Sequence, residues 1–216
     1  MDDARATRLR IRQAAFALAE RMDWHEIGLG AIGAQAGIRP VSLMQYAHSK
    51  ASILQDFARD IDAAVVLLFE KYPPEGSPHD RLFDVILKRL EIMQPYKRVI
   101  ASVLMRPLAQ GSEGLRLFQS VTETVDWMVN AARVEAEPAW QGLGRFGLSR
   151  AYLKVLSAWS KDEDPGLART MAALDRALRD AERLNLRAGS LFAVASGFAS
   201  ATLAFARQFF EERKKT

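Results

Sequence analysis

The chain has 216 residues, of which 49% are hydrophobic and 26% charged, with a formal net charge of +4 at neutral pH. That balance is ordinary for a globular protein of one or two domains, long enough to bury a core without covalent staples. There is no cysteine, which excludes disulfides, thiolate metal sites and thiol catalysis, while the modest basicity suits an anionic partner such as nucleic acid or lipid headgroups.

The opening residues, MDDARATRLR, lack the apolar core of a signal peptide, and a cytoplasmic location is expected. Arg5, Arg8, Arg10 and Arg12 fit either a solvated helix face or an arm beside a DNA backbone. A first helix over residues 5–21 is expected to bury Leu9, Ile11, Ala15 and Leu18 at three-and-four spacing. Leu29, Ile32 and Ala36 continue that spacing and stop at Gly37, whose left-handed backbone suits a helix end. Pro40 then fits the first position of a short helix carrying Val41, Leu43 and Met44. Two short helices joined through a glycine turn make a helix-turn-helix, in which the second helix enters the DNA major groove. A plain helical hairpin is the competing reading.

A longer helix over residues 49–72 carries Ile53, Leu54, Phe57, Ile61, Val65, Leu68 and Phe69. The segment Tyr72-Pro-Pro-Glu-Gly-Ser-Pro78 ends it, since prolines and a glycine cannot continue a helix. Further helices are expected over residues 80–93, from Pro95 to a stop at Pro107, and over 115–134 and 143–159. Another is expected to open at Asp164-Pro165 and reach residue 184, and a last one to span 188–212, making about ten in all. No segment shows strand-type alternation, so the fold class is all-α. In the last helix Leu191, Val194, Phe198, Phe205 and Phe209 oppose a stripe of small residues. That pattern suits packing against a partner subunit or the chain's own core, with a membrane surface as a minority reading.

Several chemical motifs dissolve on inspection. Gly28 to Gly33 and Gly142 to Gly147 match a dinucleotide fingerprint, but neither follows a strand. His25, His48 and His79 have no paired metal spacing, and Asp162, Glu163 and Asp164 before a proline read as a helix start. No serine has a nucleophile-elbow pattern. No enzyme, cofactor or metal is expected.

Residues 9–54 resemble the DNA-binding region of the tetracycline-repressor (TetR) family of bacterial regulators. The resemblance rests on Ile11, Ala14, Ala15 and Leu18, on Ile32 with Ala36-Gly37-Ile38, on Leu43, and on Ser49-Lys50 with Ile53-Leu54; Trp24 stands near the first bend. Departures are Gly28 and Arg39 at cap positions, Val41 for a frequent glycine, Met44 for a frequent aromatic and Ala47 for a core phenylalanine. The resemblance implies a TetR-like architecture. Residues 1–54 would form the DNA-binding domain, 55–72 a connecting helix and 79–216 the ligand-binding and dimerisation domain. It further implies a homodimer on palindromic double-stranded DNA, modulated by a small apolar ligand. Arg39, Tyr46 and Lys50 would hold phosphates, with Pro40 opening the reading helix and Ser42 and Gln45 facing base edges.

Residues 90–183 are more diffusely similar to lipid-binding accessory proteins of ubiquinone biosynthesis, which share the TetR fold. Arg89-Leu90-Glu91, Pro95, Val125-Asp126-Trp127, Ser157-Ala158-Trp159 and the run from Arg169 to Arg176 carry this likeness. It implies, as the alternative function, an isoprenoid carrier with a degenerate helix-turn-helix. Trp127, Met128 and Trp159 would then be pocket wall, although large apolar residues usually pack as core.

Overall fold

The computed structural model describes residues 2–104, 111–137 and 143–183. These form helices and turns, with no strand among the described residues. In chain order they are α1 (Asp2–Ala19), α2 (Leu29–Ala36), α3 (Pro40–Tyr46), α4 (Lys50–Lys71), α5 (Pro78–Met93), α6 (Lys97–Leu104), α7 (Gly111–Ala131) and α8 (Leu143–Trp159). Residues 168–183 form a further helix, α9. Nine α-helices thus occur among the described residues. The helix expected over 188–212, with its two unlike faces, and the stop expected at Pro107 lie outside the described residues. No described helix is long and apolar enough to cross a membrane.

The helices begin and end where local chemistry permits. Ser49 and Ser52 form a reciprocal capping box at the start of α4, with Ser52 N donating to Ser49 Oγ at 3.1 Å and Ser49 N to Ser52 Oγ at 3.3 Å. Ser77 and Asp80 do the same for α5, which therefore starts at Pro78, two residues before the expected position. The hydrogen bonds from Ser77 hold the Asp80 carboxyl below its usual range. Pro95 lies in a single 3-10 turn, Gln94–Tyr96, ahead of α6 rather than opening that helix. Two other boundaries move because side-chain-bearing residues take a left-handed backbone. Arg133 (φ 55°) ends α7 short of residue 134, and Leu167 (φ 55°) delays α9 beyond Pro165. The carboxylates before α9 do act as a helix start: Asp164 Oδ1 and Oδ2 accept from the amides of Gly166 and Ala168 at 3.0 and 3.1 Å.

In α1, Ile11, Ala14, Ala15, Phe16 and Ala19 are buried as their spacing requires. Leu9 corrects the expectation, being 42% exposed. It lies two residues from Ile11, about 200° around the helix, so the two cannot share a face. α4 runs through the molecule and packs on α7, α5 and α1. Around Phe57 of α4, rings from three other elements meet edge-on: Phe16 lies 5.0 Å from Phe57, Tyr96 4.9 Å from Phe57, and Trp24 6.5 Å from Phe16. The Trp24 amide also donates to Ser102 Oγ of α6 at 2.8 Å. These contacts join the three N-terminal helices to the bundle behind them.

Candidate nucleic-acid interface and ligand cavity

The turn between α2 and α3 is closed by a pair of backbone bonds. Gly37 takes φ 65°, its N–H donates to Ala34 O at 3.1 Å, and the Ile38 N–H donates to Gly33 O at 2.9 Å. This is the six-to-one, five-to-two pattern that glycine favours. A Cβ at Gly33 would lie 3.1 Å from Leu43 Cδ2 and 3.2 Å from Ile38 O, so its absence lets α3 seat tightly against α2. Pro40 stands in the first turn of α3, and Arg39 caps it with extended backbone but no side-chain bond.

Leu43 and Ala47 are buried, so α3 is rolled with one face inward. Its outward face carries Val41 at 63% exposure and Met44 at 70%, with Arg39, Pro40 and Gln45 also exposed. Ser42 and Tyr46 are half-buried at its edges. Lys50 stands apart from this set. Its ammonium donates to the carbonyls of Trp24 at 2.9 Å and His25 at 3.3 Å and lies 5.7 Å from the Trp24 ring centre. Of the four arginines within α1, Arg12 pairs with Asp60 and Arg8 lies 3.9 Å from Asp56, while Arg5 and Arg10 are exposed.

Behind this head the three residues proposed for a pocket wall are not brought together. Met128 and Trp159 are fully buried, and the Trp159 indole N–H donates to Gln94 Oε1 at 3.0 Å, which makes both of them core. Trp127 is 52% exposed and lines a groove of about 710 Å³ between α4 and α7, beside Val66 and Leu67. A separate cavity of about 90 Å³ lies among α4, α5, α6, α7 and α8, walled by Leu54, Phe57, Val103, Leu153 and other apolar residues. One side of it is polar. Arg89 is buried there, with Nε donating to Asp62 Oδ1 at 2.8 Å, Nη1 to the Tyr152 hydroxyl, and Nη2 to Thr124 Oγ1 at 3.4 Å. Thr124 Oγ1 in turn donates to Asp62 Oδ2 at 2.9 Å. Burial alone would pull the Arg89 guanidinium down, but Tyr152 and Asp62 outweigh it and the group stays firmly charged. Burial pushes the Tyr152 phenol up, so it remains a hydrogen-bond donor at neutral pH.

Neither the family models nor the curated proteins compared with this chain match it. Solved structures do. A TetR transcriptional regulator from a Rhodococcus species superposes with a TM-score of 0.60 at 17% identity, covering 83% of this chain and 97% of the other. A TetR transcriptional regulator from Nitrosomonas europaea gives 0.61 at 21% identity, covering 81% and 97%. The fold is TetR-like. Within this TetR-like frame Gly28, Gly30 and Gly33 belong to the cap and body of α2, so the first dinucleotide fingerprint is a chance match. Among the described residues no cluster of His, Asp and Glu could hold a metal. Two features of the TetR-like chain escaped sequence reasoning. Gly33 could have been recognised as a close-approach position only with α3 docked. Arg89, a charge on the apolar stripe of Val85, Ile86, Leu90 and Met93, was a visible anomaly whose partner lies 27 residues away.

Proposed function

We propose that the chain is a TetR-type transcriptional regulator that binds palindromic DNA as a homodimer and responds to a small ligand in its C-terminal helices. The observation that supports this reading is the outward face of α3. A short helix is locked in place by Gly33, Gly37 and Leu43, and it offers Arg39, Pro40, Val41, Met44 and Gln45 to solvent. Exposed apolar residues beside an arginine and a glutamine suit a groove where methyl groups, base edges and phosphates lie side by side. Ser42 and Tyr46 flank that face. Lys50 uses two of its three N–H donors on backbone carbonyls, which leaves one for a phosphate.

In a two-fold dimer the reading helices stand about one DNA turn, ~34 Å, apart. The test is a salt-titrated binding curve on DNA from around the protein's own gene. Affinity is expected to fall steeply with salt, and Arg39→Ala to reduce the slope by about one. Five extra base pairs between the half-sites are expected to weaken binding, because the second head then meets the wrong side of the duplex. Salt-insensitive binding, or none, would sink the proposal. Co-purification of an isoprenoid in that case would put the lipid-carrier alternative in its place, although the cavity of about 90 Å³ is far below the roughly 300 Å³ at which drug-sized sites begin.

A further inference from the structure

The cavity behind the head has a chemistry of its own. The guanidinium of Arg89 and the carboxylate of Asp62 neutralise each other 2.8 Å apart, with side chains 4% and 6% exposed. Asp62 does not itself line the cavity but already neutralises the one cation that does, so the polar wall does not call for an acid. What the Tyr152 hydroxyl lacks is a good acceptor. The Tyr152 oxygen already accepts from Arg89, and its own proton is directed to Met93 Sδ at 4.0 Å. Thioether sulfur is a weak acceptor, and this one is also contacted by Arg89 Nη1 at 2.7 Å. A buried hydroxyl polarised by a cation and left with so poor a partner is a donor in want of an oxygen.

We infer that the cavity binds a small uncharged molecule, mostly hydrocarbon, whose one acceptor oxygen receives the Tyr152 hydroxyl proton. A ketone, ester, ether or alcohol of a few carbons has the required chemistry. The apolar walls contributed by Leu54, Phe57, Val103 and Leu153 hold its hydrocarbon part. The regulatory meaning of this site rests on the regulator reading above. Phe57 both walls the cavity and stacks edge-on with Phe16 of α1 and with Tyr96, so an occupant presses on the joint between bundle and head. That gives the ligand a means of favouring one head position over another.

The test uses the full chain without DNA and three cyclopentyl probes titrated by ligand-observed NMR: cyclopentanone and methylenecyclopentane, which share one shape, and the larger anion cyclopentanecarboxylate. The ketone is expected to bind about five- to tenfold more tightly than the isosteric hydrocarbon, the difference made by one hydrogen bond. The carboxylate is expected not to bind. Tyr152→Phe should bring the ketone down to the hydrocarbon and leave the hydrocarbon unchanged. Should that variant fail to fold, Val121→Phe, which fills the cavity from α7, should abolish binding of both neutral probes. Carboxylate binding as tight as the ketone's, a ketone preference that survives Tyr152→Phe, or no binding by any probe overturns the inference. Because DNA takes no part, those failures leave the regulator reading standing, and loss of DNA binding would leave the cavity result intact.

Discussion

Arg89 shows how one side chain can be visible in the sequence and yet unexplained by it. Its place on the apolar stripe of α5 marks it as buried, and burial of an unpaired guanidinium would cost several kcal/mol. Only the packing of α5 against α4 supplies Asp62, and only α7 and α8 supply Thr124 and Tyr152. The pair is therefore expected to behave asymmetrically. Asp62→Ala leaves the cation stranded and should cost about 3–5 kcal/mol in urea unfolding, whereas Asp62→Leu combined with Arg89→Met should recover most of that loss. A double variant no more stable than Asp62→Ala would mean that the network is not a self-contained unit.

At the scale of elements, the head depends on how α2 stops. A Cβ at Gly37 would meet nothing within 4 Å, so crowding is not what requires glycine there. The backbone is, at φ 65° and ψ 33°. Gly37→Ala is expected to cost about 1–2 kcal/mol, read as a shift in the urea midpoint, because an L side chain in that conformation crowds the following carbonyl. An unchanged midpoint would show that the turn relaxes without penalty. The same conformation at Arg133 and Leu167 could not be read from residue type, since neither is glycine. Those are the end of α7 and the start of α9, two of the boundaries that sequence reasoning misplaced. By contrast Ser49 and Gly37 bound the head's helices with residues whose own chemistry favours a cap or a stop, and these positions were legible.

Across the whole molecule, Asp162 ties three helices into one unit. Its carboxylate accepts from the Thr170 hydroxyl at 2.7 Å and the Thr170 amide at 2.8 Å in α9, while Lys97 of α6 donates to its carbonyl just beyond the end of α8. The hydrogen bond from the Thr170 side chain, helped by the backbone amides, holds its carboxyl below the usual range. The sign of the consequence is set by that direction. The unfolded carboxyl titrates near about 3.9, so the stabilisation is complete above that pH and is lost as pH falls through the lower folded value. Thr170→Val removes the largest contributor and should move the acid unfolding midpoint to higher pH in a circular-dichroism titration, with little change in the shape of the curve above pH ~6. An unmoved midpoint would show that other carboxylates govern acid stability.

Helical periodicity, the glycine stop, the helix start at Ser49 and the proline break were written in the sequence by itself, because each depends on residues within a turn or two of one another. They were enough to set the all-α class and to locate α3. Which large residues wall a cavity was decided only by the tertiary structure. Met128 and Trp159 went to the core, Trp127 to a surface groove, and the polar side of the small cavity came from Arg89, Thr124 and Tyr152. The physical reason is distance along the chain: a cavity is what remains after helices from remote segments have packed, and no local pattern records where that packing falls short.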